Sequence, residues 1–148
     1  MRTCIFLAAV AVASWSAEGR PDINGNWQLD PVHSQMTDVK IKSRTLAISQ
    51  TGGSITITDT TIDAGEKSRK VGIECTLDGQ DCKANGVAAK VAFYYNGPIL
   101  IWLDTRRGGD MVTKIQVQPS EDGKTLTLDV MHLSPPGTKN EKLVFTKR

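Results

Sequence analysis

Three features of the sequence point to an all-β protein. From Thr45 onward, short runs alternate apolar and polar residues with period two, tight-turn dipeptides separate the runs, and no long helical stripe interrupts them. They amount to about eight to ten short strands joined in sequence order without a long crossover. That predicts an up-and-down antiparallel meander closed into a small barrel, since closure removes the sheet edges. A flat sandwich is the alternative use of the same strands. A chain of 148 residues, 39% hydrophobic, suffices for one domain with a core but not for two, and residues 22–148 are expected to form it. The near-balance of 18 basic and 16 acidic residues gives no field for nucleic acid.

The elements follow in order. Residues 1–16 read as a secretory leader. Arg2 supplies the positive start, an apolar run extends from Cys4 to Ala13, and small residues follow at Ser14, Ser16, Ala17 and Gly19. Cleavage after Ser16 puts small residues at both specificity positions; cleavage as late as Gly19 is the alternative. The run falls short of the ~20 residues a membrane helix needs. The expectation is an exported chain, periplasmic or extracellular, with no membrane span.

A first strand around Gly25–Leu29 is broken by Asp30-Pro31-Val32-His33-Ser34. Gln35 to Arg44 reads either as a short helix or as an irregular cover. Next, Leu46 and Ile48 alternate with Thr45 and Ser49, and Ile55 and Ile57 with Thr56 and Thr58. A turn at Gly52-Gly53 pairs Ile48 with Ile57 and puts both apolar sets on one face. Removal of the leader leaves Cys75 and Cys82, and an even count in an exported chain predicts one disulfide. If Asp78-Gly79 is the hairpin turn, the cysteines face each other at the ~4.5–5.5 Å Cα separation of an antiparallel pair, and Glu74 faces Lys83. The spacing is not C-x-x-C, which favours a structural over a redox role.

Three hairpins follow. A turn at Asn96-Gly97 pairs Phe93 with Leu100 and Val91 with Trp102. Gly108-Gly109 pairs Trp102 with Ile115 and Leu100 with Val117. A four-residue turn at Ser120–Gly123 pairs Ile115 with Leu128 and Val117 with Leu126, and sets Lys114 opposite Asp129. Ser134-Pro135-Pro136-Gly137 is a loop, and the last run from Glu141 adds Leu143 and Phe145 to the same interior.

Within this meander, Gly25-Asn26-Trp27 resembles the G-x-W start of the lipocalin and wider calycin families. The resemblance implies that Trp27 closes the barrel floor and that a basic residue near the chain end packs across its ring. Lys147 is the first candidate and Arg148 the second, a contact worth ~0.5–2 kcal/mol. The string Gly25–Asp30 followed by Ser34, with Asp122-Gly123-Lys124 later, is similar to small exported bacterial lipocalin-like proteins. The second lipocalin motif, a Thr-Asp-Tyr-type turn, is absent.

Sorting residues by face places Trp27, Tyr95, Val117, Leu126 and Lys147 at the closed end. The other end collects Asp104, Met111, Thr113 and His132, with Glu141 nearby, above an apolar wall of Phe93, Trp102, Ile115 and Val130. Apolar walls under a few polar groups suit a small apolar ligand. Phe93, Trp102, Asp104, Met111, Thr113 and His132 are therefore the candidate binding residues. Packed core and rim solvation are their plain alternatives. No catalytic constellation, metal-ligand spacing or phosphate loop is evident, so neither an enzyme nor a cofactor is expected. On the outer face, Tyr94, Ile99, Ile101 and Leu103 form an apolar patch, with Val112 and Met131 nearby. Either residues 30–44 cover it or it meets a protein partner or a second copy. The expected role is binding of a small apolar molecule. The alternatives are a protein-binding module, such as a periplasmic protease inhibitor, and a packed barrel with no ligand.

Overall fold

The computed structural model describes residues 20–148, and the expected leader lies outside the described residues. Ten strands run in chain order: β1 Gly25–Leu29, β2 Ile41–Thr51, β3 Ser54–Asp63, β4 Ser68–Thr76, β5 Cys82–Lys83, β6 Ala89–Asn96, β7 Ile99–Arg106, β8 Met111–Pro119, β9 Thr125–Ser134 and β10 Glu141–Lys147. Every pairing is antiparallel, in the order β4-β3-β2-β1-β10-β9-β8-β7-β6-β5. The first and last strands meet in the middle of this sheet, with Trp27 opposite Lys147. Its two edges, β4 and β5, curl toward each other. The result is a nearly closed up-and-down barrel, and the helical structure among the described residues is a single 3-10 turn at Arg107–Gly109. One continuous core fills it, with Trp27, Phe93, Phe145, Ile55 and Leu126 wholly buried.

The seam between the edges carries the disulfide. Cys75 and Cys82 are bonded with Cα atoms 5.7 Å apart. Further along, Gly72 and Asn85 exchange both backbone hydrogen bonds, at 2.9 and 2.8 Å. Gly86 lies so close that a Cβ there would sit 2.3 Å from the Lys70 carbonyl oxygen. Asp78-Gly79 is nevertheless not the tip of a β4–β5 hairpin. Leu77 N–H donates to the Gly53 carbonyl and Gly79 N–H to the Phe93 carbonyl, so the loop folds back on neighbouring strands. Glu74 faces Thr56 and Lys83 faces Lys90, rather than each other.

The β2–β3 and β7–β8 registers match the expectation, with Ile48 opposite Ile57 and Trp102 opposite Ile115. Two hairpins turn one residue later than expected. In β6–β7 the turn residues are Gly97-Pro98, which pairs Phe93 with Trp102 and Val91 with Asp104. Proline cannot donate to a ladder and is excluded from the strand, while Gly97, at φ 59°, takes the positive φ that the first turn position needs. In β8–β9 the turn is Glu121–Lys124, closed by Ser120. The Ser120 N–H donates to the Thr125 carbonyl, and its hydroxyl accepts from the Thr125 N–H at 3.1 Å. Val117 therefore faces Leu128, Ile115 faces Val130, and Lys114 faces Met131 instead of Asp129. Each slip moves the partner by two residues, and a shift of two leaves every side chain on its original face.

Residues 35–40 hold no helix. Gln35 bridges to Lys142, Thr37 N–H donates to the Glu141 carboxylate, and β2 begins at Ile41. This segment lies against the start of β10, so those contacts correct the expectation that it covers the outer patch. On that patch Ile101 is buried and Tyr94, Ile99 and Leu103 are half-buried. Among the described residues the exposed large apolar side chains are Val32, Val39 and Leu133.

Candidate functional site

Inside one end of the barrel lies a cavity of about 290 Å³. Its wall is apolar: Trp102, Ile115, Leu128, Val130 and Leu143 on one side, Ile73, Val71 and Leu29 on the other. Strand alternation lifts the next inward positions to the rim. Two residues beyond Trp102 on β7 comes Asp104, beyond Ile115 on β8 comes Thr113 then Met111, and beyond Val130 on β9 comes His132. The observed register sets Asp104 beside Thr113 and Thr113 beside His132, one polar row across three strands. Trp102, Asp104, Met111, Thr113 and His132 are thus brought together on one cavity. Phe93 is not on its wall. It is wholly buried behind Trp102, with ring centroids 5.5 Å apart.

The rim is bound up in ion pairs. Asp104 accepts two hydrogen bonds from Arg106, at 2.9 and 3.2 Å. His132 Nδ1 lies 3.4 Å from the Thr113 hydroxyl and Nε2 lies 3.5 Å from Glu141 Oε1. Glu141 also accepts from the Thr37 N–H, which ties the 35–40 segment to the rim. Across the cavity, Arg44 and Asp59 form a bidentate pair at 3.0 and 2.7 Å. The Arg44 guanidinium stands 6.0 Å from the Phe145 ring. Among the described residues the indole N–H of Trp102 is buried without an acceptor, closed off from the cavity by its neighbours.

Arg44 and Asp59 escape a reading that begins the alternation at Thr45 and stops at Thr58. The signal was present. Arg44 lies two residues before Leu46, and Asp59 two after Ile57, so both continue the inward series. Met36 and Asp38, which also line the cavity, come from an irregular segment with no such periodicity. Outside Arg44 and Asp59 the cavity meets a polar vestibule of about 570 Å³, to which Lys40, Lys67 and Arg69 contribute.

At the opposite end, Lys147 Nζ stands 5.5 Å from the Trp27 ring, and the Trp27 indole N–H donates to the Ile23 carbonyl at 3.0 Å. Gly25 makes room for that lysine: a Cβ there would sit 3.0 Å from Lys147 Cε. This ties the glycine and the tryptophan of the G-x-W string to one contact. Arg148 N–H donates to the Asn26 carbonyl. Tyr95 donates its hydroxyl to Gln50 at 2.6 Å, and burial pushes its pKa above the ordinary value. His33 lies on the surface against Asp30, at 2.6 Å. Among the described residues no cluster of His, Cys, Asp and Glu has the arrangement of a metal site, and no helix is long and apolar enough to cross a membrane.

No protein-family model matches the sequence, and no curated protein matches it. Solved structures of the same fold do. A Schistosoma mansoni fatty acid binding protein in complex with arachidonic acid is 14% identical, with a TM-score of 0.61 over 85% of this chain and 96% of that one. A secretory abundant heat soluble protein of Ramazzottius varieornatus is 12% identical, with a TM-score of 0.65 over 89% and 100%. The fatty-acid-binding protein of Manduca sexta is 14% identical, with a TM-score of 0.56 over 84% and 99%. At these identities the likeness is one of fold: a calycin-like β-barrel.

Proposed function

We propose that this chain is an exported binding protein, not an enzyme, whose barrel domain, residues 22–148, holds one small apolar molecule. The reading is carried by the cavity of about 290 Å³, walled by apolar side chains and rimmed by a few polar ones. That is the composition of small-molecule sites, at the lower end of their usual range of about 300–1,000 Å³. Trp102, Met111, Asp104, Thr113 and His132 are the contacts, with Arg44 and Asp59 on the facing wall. Fatty-acid binding by two proteins of the same fold supports an apolar ligand. The cavity also favours a hollow barrel over a packed one. The Cys75–Cys82 disulfide is compatible with export.

Native mass spectrometry of the protein from its own host tests this directly. A reproducible small-molecule adduct that disappears on denaturation is the expected result. A bare mass, together with no saturable uptake of apolar fluorophores, overturns the reading.

A further inference from the structure

Between the cavity and its vestibule the sign of the unengaged charge reverses. Inside, both guanidinium groups are taken, Arg44 by Asp59 and Arg106 by Asp104, each through two hydrogen bonds. The charges left over there are acidic: Glu141 beside His132, and Asp38. An anionic group drawn fully inside would have to strip an arginine from its carboxylate and strand that carboxylate. The engaged arginines thus keep an anionic head out of the interior. In the vestibule of about 570 Å³ the groups left over are cationic. Among the described residues its Lys40, Lys67 and Arg69 have no ion-pair partner. The two carboxylates that remain with them are turned to the backbone. Asp38 accepts from the Lys40 N–H, and Asp63 from the Gly65 and Lys67 N–H groups, each at 2.9 Å.

Strand alternation links the two spaces. Arg69 follows Ile73 and Val71 of the cavity wall on the inward series of β4. The register sets Arg44, Thr61 and Arg69 in one row across β2, β3 and β4. Ile41 and Val71 line both spaces, so an apolar path runs from the cavity to the cations. From this path and the reversal of charge along it we infer that the barrel takes single-chain amphiphiles with a phosphate monoester head. The tail lies inside on Ile115, Leu128 and Val130, and the head lies outside on Arg69, Lys67 and Lys40. A phosphate monoester brings three acceptor oxygens and close to two negative charges, which suit a guanidinium fork and two ammonium groups. A carboxylate brings only one charge to the same cations. This rests on the binding role proposed above and names the head group that the ligand carries.

The test compares octyl phosphate, octanoate, octanol and inorganic phosphate by calorimetry at neutral pH, on the full chain stripped of co-purifying lipid. One exposed ion pair adds little, but three together should make octyl phosphate bind about tenfold more tightly than octanol and about threefold more tightly than octanoate. That advantage should vanish at about 1 M salt, where the screening length falls to about 3 Å. Lys67 and Arg69 are exposed, so replacing both with Gln leaves the core intact. The double variant should weaken octyl phosphate about tenfold and leave octanol unchanged. A second readout needs no variant. In 15N-arginine-labelled protein, octyl phosphate should shift the Arg69 Nε–H resonance and octanol should not. Octanol binding as tightly as octyl phosphate overturns the inference, and so does inorganic phosphate binding as tightly as its octyl ester. No shift at Arg69, or shifts confined to Arg44 and Arg106, also overturns it. Octanoate matching octyl phosphate overturns the choice of head group. If neither octyl phosphate nor octanol binds, the binding role itself fails.

Discussion

Asp59→Leu should destabilise the protein more than removal of both Asp59 and its partner. The Arg44–Asp59 pair is bidentate and mostly buried, with side chains 19% and 14% exposed. Two unit charges about 4 Å apart attract by about 4 kcal/mol at an effective dielectric of about 20, and desolvation offsets most of this. The pair as a whole is thus worth little against an apolar replacement. Stranding one charge is different: it costs about 3–5 kcal/mol when the site is wholly buried. The residual exposure of both side chains lets water reach a stranded group, which lowers the expectation to about 2–3 kcal/mol for Asp59→Leu or Arg44→Met. The double variant should lose about 1 kcal/mol or less, a coupling of at least about 3 kcal/mol. Urea unfolding of the four proteins gives these numbers directly, provided the slope with denaturant is unchanged. Asp59→Leu also frees the Arg44 guanidinium inside the cavity. Octanoate should then bind about tenfold or more tightly than it does to the parent, through a charge-assisted hydrogen bond. Additive single losses, with no gain for octanoate, would show that Arg44 and Asp59 act independently and that their engagement does not set the cavity's selectivity.

Three further perturbations probe the frame. Replacing both Cys75 and Cys82 with Ala removes a crosslink spanning 7 residues, worth about 2.4 kcal/mol of chain entropy. The melting temperature should fall by about 7–12 °C, and a fall of under about 2 °C would mean that the Gly72–Asn85 bridge holds the seam by itself. Gly86→Ala drives a Cβ onto the Lys70 carbonyl at φ +91°, whereas Gly52→Ala at φ +55° meets nothing within 4 Å. The first should cost about 3 kcal/mol and the second about 1 kcal/mol, and equal losses in chemical denaturation would show that the seam is not closely packed. Asp30, Asp78 and Asp122 are all held below the ordinary 3.8, first by hydrogen bonds from His33, Thr76 and Ser120 respectively. A depressed carboxylate contributes stability that is fully present above its unfolded value and is lost as pH falls through its folded value. Thermal stability should therefore decline below about pH 4, and Asp122→Asn should flatten that decline. An acid profile unchanged in the variant refutes the assignment.

Much of the fold was legible because a strand's side chains alternate with a fixed period of two. Leu46 with Ile48, Ile55 with Ile57, and Trp102 with Asp104 could be assigned to one face before any partner was known. An error of two residues in register did not disturb those faces. For that reason the polar row of Asp104, Thr113 and His132 could be placed at one end of the barrel even though two hairpins turn later than their dipeptides suggest. Register itself was decided in three dimensions. Pro98 was excluded from a ladder, and Ser120 closed its turn by a hydrogen bond that competes with other closures of similar energy. The dipeptide Asp78-Gly79 has a strong local preference for a hairpin. It was overruled because the barrel offered its backbone groups partners at Gly53 and Phe93, far away in the chain.

The sequence by itself determined an up-and-down meander of about eight to ten strands and the inward faces of most of them, which follow from local alternation, and it paired the two cysteines by their even count. Only the tertiary structure decided that Arg44 is engaged by Asp59, that residues 35–40 lie against the rim, and that the Trp102 indole has no acceptor. Those facts depend on closure of the sheet, which brings β2, β3 and β4 to face β7, β8 and β9 across one cavity. No periodicity along a single strand records which strand will stand opposite.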